Sequence, residues 1–377
     1  MVERKTMGII MANMHDPLLG SMTATRSIAS IPFAGRYRLI DFHLSSLAHA
    51  GIGDIAIVVK ENYMSLMRHI GSGKEWDLSR KIDGVHIYPP HIDAAYSSYT
   101  SGRINAIYNI LPHIEESTSR YVLLLDCDHV CNMDFSLFVN EHIASKADVS
   151  LLCYTPETVD QKTFTNNVAV VHDENNRVIE IGYHNTVRKD KAFRLSMNAA
   201  VISRQLLIEL IEDAYNRGSS IFERDILIPN LRSLFIRSVE FNGFVRRIDS
   251  IEGYFSTSMS LLNPANYNAL FLKERPVFTK VNDDAPVRYG LHSTIRNSMV
   301  ADGCVIEGKV ENSILFRGVT VEDGASVKDS VLMQGTVVGK GASLDYVISD
   351  TFVNINEGRR IMGYRTYPLY IESRSTV

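Results

Sequence analysis

Two aspartates stand where an α/β enzyme would place its chemistry. Asp126 ends the run YVLLLD, and Asp128 follows two residues later. A run that is apolar at nearly every position predicts a central strand buried on both faces of a sheet. Because open α/β sheets bind ligands at the carboxyl ends of their strands, the sequence predicts a functional site at this edge.

The turn after the first apolar run, MGII, raises a question about that site. Its sequence is MANMHDPLLG, residues 11–20. In an α/β nucleotide enzyme, this turn cradles phosphates with backbone N–H groups, which favours glycine. Here no glycine occurs before Gly20, and the turn carries Asn13, Met14, His15 and Asp16 instead. The turn therefore lacks the usual phosphate-binding chemistry.

Length and composition limit the classes of protein. The 377 residues, 45% of them hydrophobic, predict two domains with substantial cores. A net charge of −4 without a basic run argues against nucleic acid and membrane-surface partners. No apolar stretch is long enough to span a membrane, and the N-terminus lacks a signal-peptide core, so we expect a cytoplasmic protein. Cys127 and Cys131 lack a complete zinc ligand set and are interpreted as buried thiols.

The chain divides into three segments. Up to residue 263, apolar strands alternate with amphipathic helices, which predicts a mostly parallel sheet with crossovers. Residues 264–290 are rich in proline and charge and are interpreted as a linker. From 291 to 377 apolar or small residues recur every sixth position, in one row from Ser313 to Ser343 and in a second from Leu315 to Gly339. Such hexapeptide repeats stack into a parallel β-helix.

Several segments together resemble the bacterial ADP-glucose pyrophosphorylase family. PFAGRYRLIDFHLSS resembles the family's PFGGKYRIIDFxLSN, SGRINAIYNI resembles GTANAIYQN, and LLDCDHVCNMDF resembles LSGDHIYKMDY. The C-terminal repeats also follow the family's β-helix. The resemblance spans nearly the whole chain. It implies a glycosyltransferase-A-like, Rossmann-like nucleotidyltransferase domain followed by a left-handed β-helix, in a tetramer that makes ADP-glucose from ATP and glucose 1-phosphate.

The departures from the family's pattern begin in the first turn. The family's LAGGxGTRL aligns with residues 11–19, so its glycines become Asn13, Met14 and Asp16, and its arginine becomes Leu18. A triphosphate would lose close backbone contacts and a guanidinium there, and would meet a carboxylate. The alignment therefore implies a degenerate phosphate site.

The sugar-phosphate segments also depart from the family. Its FVEKP aligns with residues 181–185, which places His184 at the lysine position. Its SMGIY becomes SMNAA, with Asn198 in place of a glycine. Gly102, in the segment that resembles GTANAIYQN, is assigned to the same degenerate pocket.

The predicted metal site keeps one carboxylate of two. Nucleotidyl transfer in this family holds Mg²⁺ between two carboxylates. Asp128 aligns with the first, and Arg247 replaces the second in the family's YWRDVGT. We expect Arg247 to lie within ion-pair distance of Asp128, so that Asp128 alone remains of the site and binds no metal. No cofactor is expected for this chain, while Mg²⁺ would act in a catalytic partner.

This pattern is similar to that of GlgD-type regulatory subunits of the family. The resemblance implies a nearly inactive chain that modulates a catalytic GlgC-type partner in a heterotetramer for glycogen synthesis. Positions that contribute to the family's site for phosphorylated effectors match Arg26 and Arg38, and Arg359 or Arg360 could join them.

Two other functions remain open at this point. The first is a self-sufficient adenylyltransferase with a rebuilt phosphate site that uses Arg26, Arg36 and Arg38 as cations. The second is acyl transfer by the β-helix, which would need a general base, and the repeat region offers only His292 at its start. Arg247 distinguishes the regulatory subunit from the self-sufficient enzyme, because a magnesium enzyme has no use for an arginine at that position.

Overall fold

The computed structural model describes residues 6–80, 83–89, 102–156, 167–183 and 192–377, which form two compact units. Up to residue 270 the described strands are β1 (Thr6–Met11), β2 (Pro32–Phe33), β3 (Tyr37–Arg38), β4 (Asp54–Val58), β5 (Gly84–Tyr88), β6 (Tyr121–Asp126), β7 (His129–Cys131), β8 (Val149–Tyr154), β9 (Val168–His172), β10 (Val178–Tyr183), β11 (Phe193–Ser203), β12 (Ile236–Glu240) and β13 (Val245–Arg247). The α-helices are α1 (Leu39–His49), α2 (Met64–Ile70), α3 (Arg103–Tyr108), α4 (Leu111–Glu116), α5 (Phe135–Ser145), α6 (Arg204–Asn216), α7 (Ile251–Ser260) and α8 (Pro264–Leu270).

The first unit contains residues up to 14, 43–63 and 71–245, and is built on one sheet. Among the described residues this sheet has nine strands, in the order β10-β9-β11-β6-β1-β4-β5, with β8 paired to both β11 and β12. The strands β6, β1, β4 and β5 are parallel neighbours, whereas the long β11 is antiparallel to β6, β8 and β9. The predicted parallel sheet with crossovers is therefore confirmed in its central part.

Local sequence explains the elements that carry the site. Every residue of β6 is buried, which is the reason its run of apolar residues is uninterrupted before Asp126. Helix α5 begins at the Asp134 carboxylate, which accepts from the N–H of Ser136, and the Ser203 hydroxyl caps α6. Each cap sets the residue at which a helix begins after a strand, and both helices then pack against the sheet.

The second unit contains residues 15–42, 64–70 and 246–377, and its larger part is a coil of short strands. In the described part of the chain these strands form three five-stranded parallel sheets, as in a left-handed β-helix, which confirms the predicted class. The strands are β14 (Arg288–Tyr289), β15 (Thr294–Arg296), β16 (Met299–Val300), β17 (Val305–Ile306), β18 (Lys309–Glu311), β19 (Ile314–Leu315), β20 (Thr320–Val321), β21 (Ser326–Lys328), β22 (Val331–Leu332), β23 (Val337–Val338), β24 (Ser343–Asp345), β25 (Val347–Ser349), β26 (Asn354–Ile355), β27 (Arg360–Met362) and β28 (Leu369–Ile371).

The spacing of the inward residues is not always six along the β-helix. Thr320 pairs with Val337, which lies 17 residues later, one short of three hexapeptides. As a result Val337 and Ser343 of the first predicted row are only half-buried, and the residues one position earlier, Thr336 and Ala342, are buried instead. The repeat predicts the architecture correctly, but a strict count of six misassigns the inward positions after this coil.

Each compact unit combines segments that are separate in the sequence, so the units differ from the predicted domains. The segment 264–290, predicted as a linker, contains helix α8 and strand β14, so the first coil begins before residue 291. Residues 246–263, predicted with the first domain, belong to the same unit as the β-helix. None of the helices in the described ranges has the length and hydropathy that a membrane crossing requires.

Candidate functional site

The turn after β1 is closed by the side chain of Asn13. The Asn13 amide donates to the carbonyl of Glu61 at 3.1 Å, and the N–H of Lys60 donates to Asn13 Oδ1 at 3.0 Å. Met14 is half-buried and packs against the apolar core of the first unit. Both side chains therefore hold the turn to its own unit, whereas a phosphate-binding turn needs exposed backbone N–H groups.

Asp16 and Leu18 belong to the second unit and have different surroundings. The N–H of Ile28 donates to Asp16 Oδ1 at 2.7 Å, and the hydroxyl of Thr23 donates to the Asp16 carbonyl at 2.7 Å. Asp16 thereby joins the 3₁₀ helices Asp16–Thr23 and Ile28–Ser30. The side chain of Leu18, at the position of the family's arginine, is exposed.

Asp128 lies just beyond β6 and is 0% exposed. Asn198 Nδ2 donates to Asp128 Oδ2 at 3.0 Å, and His129 Nδ1 lies 2.8 Å from Asp128 Oδ1. With the His129 proton on Nδ1, both carboxylate oxygens accept hydrogen bonds from the protein. Both oxygens of this carboxylate are thus engaged within the first unit, and a ligand oxygen of Asp126 lies within 4.8 Å of one of Asp128. That Asp128 binds no metal ion stays a prediction.

Asn198 owes its position to an irregularity in β11. The pairing of β11 with β8 shifts register between Ser196 and Ala199, and Asn198 has a φ of 53°. Asparagine tolerates this left-handed conformation better than most residues that have a side chain. The replacement of the family's glycine by Asn198 thus preserves the backbone and adds an amide that reaches Asp128.

Arg103 is a cation of the first unit that the sequence analysis did not identify. Its Nη2 lies 2.6 Å from Asp126 Oδ1 and donates to the Asn198 carbonyl at 2.9 Å. Its Nη1 donates to Glu223 Oε1 at 2.8 Å. Burial lowers the pKa of Arg103 and the carboxylates of Asp126 and Glu223 raise it, with a net shift upward. The guanidinium is therefore permanently charged and fully engaged.

Gly102 precedes helix α3 and allows a close approach of the backbone. A Cβ at this position would lie 2.0 Å from the carbonyl oxygen of Ser220. That carbonyl accepts from the N–H of Ile104 at 3.3 Å. Gly102, predicted to line a ligand pocket, thus serves the packing of α3 against the segment before Glu223.

The cavity next to these residues is small. It has a volume of about 10 Å³ and includes Arg103, Asn198 and Glu223 in its lining. This space suits about one water molecule, whereas ligand pockets span roughly 300–1,000 Å³. Tyr183, the last described residue of the predicted sugar-phosphate segment, ends β10, and His184 lies outside the described residues.

Arg247 ends β13 and belongs to the second unit. Its side chain is 8% exposed, and its Nη1 lies 3.9 Å from Asp249 Oδ2. The acid two residues further along the chain is therefore close enough to form an ion pair with it. The pairing of Arg247 with Asp128 stays a prediction.

A cavity of about 610 Å³ in the second unit contains both Arg26 and Arg38. Arg26 is buried and forms an ion pair with Asp350 at 2.5 Å, and Arg38 donates to the carbonyl and hydroxyl of Ser65 at 3.0 and 2.8 Å. Burial lowers the pKa of Arg38 to about 10, which leaves it charged at neutral pH. The other basic residues of the lining are Arg36, Arg68, His69, Lys280, Arg317 and Arg374.

Arg359 and Arg360, the other candidate effector residues, lie elsewhere in the second unit. Both are exposed, and Arg360 begins β27. Neither lines the 610 Å³ cavity. The strand register explains this difference, because Arg360 pairs with Ser343 on a face of the β-helix formed by β15, β18, β21, β24 and β27.

A sequence signal for Arg103 and Glu223 exists but is weak. Arg103 stands where the segment GTANAIYQN has a threonine, in a helix that is otherwise mostly apolar. A charged residue in a buried helix needs a counter-ion. Glu223 lies 120 positions away, so only the fold identifies it as that counter-ion.

The dual role of Asn198 gives a testable prediction. Asn198→Gly keeps the left-handed backbone and loses the amide, so the free energy of unfolding should fall by about 1–3 kcal/mol. Asn198→Val loses the amide and also strains the backbone, which should remove about 1–3 kcal/mol more. Urea unfolding followed by circular dichroism measures both. Equal stability of the two variants would contradict the role of the backbone conformation.

Comparison with known proteins agrees with this architecture. The nucleotidyl transferase family matches residues 8–182. The family described as GlmU-like, C-terminal hexapeptide matches residues 282–365. The first match covers the sheet of the first unit up to β10, without β11 and β12, and the second covers most of the β-helix.

Similar whole proteins have the same combination. The glycogen biosynthesis protein GlgD of Bacillus subtilis is 36% identical over 98% of this chain and 96% of its own length. The protein of the same name from Geobacillus stearothermophilus is 36% identical over 86% of the chain and 84% of its own length. A glucose-1-phosphate adenylyltransferase of Clostridium perfringens is 29% identical over 87% and 83%. The chain therefore belongs to the GlgD-type group of the ADP-glucose pyrophosphorylase family.

Proposed function

We propose that this chain is a non-catalytic, regulatory subunit in glycogen synthesis, which assembles with a catalytic GlgC-type subunit and modulates its activity. The observation that carries the proposal is the state of Asp128. The carboxylate that would hold the metal is fully buried and hydrogen-bonded to Asn198 and His129. These contacts support a carboxylate that stabilises the protein's own fold in place of a metal ion that would assist phosphoryl transfer.

The rest of the chain supports assembly. The β-helix keeps a continuous core, from Ile306 through Val321 and Val338 to Ile355. Two proteins that are 36% identical to this chain over most of its length carry the name glycogen biosynthesis protein GlgD. A scaffold that persists beside a degenerate site is expected of a subunit whose task is to contact and regulate a neighbour.

No metal is proposed for this chain, and Mg²⁺ is assigned to the catalytic partner. The buried hydrogen bonds of Asp128 support this assignment. Arg247 adds a second argument, because it brings a guanidinium to the position where the family has its other carboxylate.

The alternative function is a self-sufficient adenylyltransferase, and the similarity to the enzyme of Clostridium perfringens favours it. It requires Arg26, Arg36 and Arg38 as phosphate ligands. Arg26 is paired with Asp350, and Arg36 lies 3.5 Å from Asp302. Since both guanidinium groups already have carboxylate partners, we favour the regulatory function.

The isolated chain should have little activity. With ATP, glucose 1-phosphate and Mg²⁺, its rate should be lower than that of a GlgC-type enzyme by a factor of about 10² or more, because even one lost electrostatic contact costs about that much. Release of pyrophosphate measures the rate, and the GlgC-type enzyme assayed in parallel is the control. A rate close to that of the control would support the self-sufficient enzyme instead.

Co-expression with a GlgC-type subunit should give a mixed tetramer. Size-exclusion chromatography with light scattering measures its mass, and substrate saturation curves compare the partner with and without this chain. We expect co-elution and a changed KM, kcat or effector response, since a subunit acts on its neighbour through differential contacts in two states. Separate elution with unchanged kinetics would refute the proposed partnership.

We further propose that the basic cavity of about 610 Å³ binds a phosphorylated effector. Its lining carries six arginines and one lysine. Part of this charge is compensated within the second unit, by Asp350 beside Arg26 at 2.5 Å, by Asp302 beside Arg36 at 3.5 Å and by Asp284 beside Arg317 at 3.7 Å. A cavity of this size and charge suits a small molecule with more than one phosphate group.

Inorganic pyrophosphate is a suitable probe of this cavity. It should raise the Tm of the wild-type chain in a saturable manner, because a ligand that binds only the folded state stabilises it. Arg38→Gln should abolish the shift. Arg359→Gln removes an exposed arginine outside the cavity and should preserve it. Equal shifts in both variants would show binding elsewhere on the surface.

A further inference from the structure

We propose that Arg103 is an internal ligand of the first unit: its guanidinium fills the region assigned by resemblance to the sugar phosphate and keeps that region closed. The site thus formed is specific for a guanidinium-type cation, which the chain supplies itself. The inference deepens the proposed non-catalytic function, but its test does not require activity.

The contacts of the Arg103 guanidinium resemble those that a binding site makes with a small ligand. One guanidinium at the start of α3 meets Asp126 at the end of β6 at 2.6 Å, Glu223 at the start of the π-helix Glu223–Leu227 at 2.8 Å, and the Asn198 carbonyl on β11 at 2.9 Å. The ring of Phe222 lies 5.8 Å from its central carbon. The three polar partners thus come from three elements that are separate in sequence, which is the arrangement of a binding site.

The partners on the far side of the guanidinium are held in place. Asp225 accepts from the N–H groups of Ser220 and Ile221 at 3.0 and 2.9 Å, which shapes the turn before Glu223. The same Ser220 offers its carbonyl to α3, where Gly102 leaves the necessary space. The helix that carries the cation and the turn that carries its carboxylate are therefore built against each other.

The remaining space excludes a sugar. The cavity of about 10 Å³ is lined by Arg103 together with Ile181, Ser196 and Asn198, which come from the two segments that align with the family's sugar-phosphate motifs. Without the guanidinium, this region would contain the carboxylates of Asp126 and Glu223. Two carboxylates, of which Asp126 is buried and Glu223 is half-buried, repel a phosphate and favour a small organic cation.

Charge-specific rescue tests the site. In Arg103→Ala the Tm should fall by about 10 °C, since one partner of a buried ion pair is removed. Ethylguanidinium at millimolar concentration should restore several degrees, with saturation and with 1:1 binding in calorimetry, whereas sodium chloride at equal ionic strength and acetate should not. Arg204→Ala is the matched control, because Arg204 donates to the backbone carbonyls of Ser119, Ile114 and Glu115, and a small guanidinium should give it no comparable recovery.

A second variant covers the case in which Arg103→Ala fails to fold. Glu223 is partly exposed, so Glu223→Ala is expected to fold and to leave the Arg103 guanidinium accessible. Acetate, and not ethylguanidinium, should then raise its Tm. Non-saturable recovery, equal recovery by salt, or binding of glucose 1-phosphate to the wild-type chain would overturn the inference. Intact rescue in a chain that elutes separately from the GlgC-type subunit and leaves its kinetics unchanged would refute the proposed partnership and leave this inference standing.

Discussion

A guanidinium buried between two carboxylates organises the first unit. The Arg103 side chain is 8% exposed and meets Asp126 and Glu223 at 2.6 and 2.8 Å. A buried charge is tolerated only with compensating charge and hydrogen bonds, so the strand end, the helix start and the bulge of β11 must keep their relative positions. The hydrogen bond from Asn198 to Asp128 depends on that same bulge. The geometry of the degenerate site is thus a consequence of the protein's own charge balance.

The second unit also contains a buried ion pair, between Arg26 and Asp350. Asp350 is buried and accepts from Arg26, from the N–H of Thr351 and from the hydroxyl of Tyr370, whose pKa is raised by burial and by the nearby carboxylate. This pair ties the segment 15–42 to the last coils of the β-helix. Other arginines that line the same cavity have acidic neighbours at longer distances, so the cavity stays positively charged. One arginine thus stabilises the unit through a buried ion pair, and its neighbours are the residues for which we propose an anionic ligand.

The sequence predicted elements well where the evidence was local and repeated. The run YVLLLD gave a fully buried strand, and the sixfold repeat predicted a β-helix. It was less accurate in the position of the inward residues, because coils of 17 residues place Thr336 and Ala342 where a strict count of six expects Val337 and Ser343. Among the site residues, the alignment identified Asn13, Asp16 and Asn198 as departures from the family, but not the hydrogen bonds that each one makes.

By itself the sequence determined the fold class and the family, since both are recorded in the type and spacing of neighbouring residues, and it predicted a degenerate phosphate site. The tertiary structure alone decided which charges meet. Arg103 and Glu223 are 120 positions apart, and Arg26 and Asp350 are 324 apart, so no local pattern links them. Coulomb energy depends on distance in space and on burial, and both quantities arise only when the chain is folded.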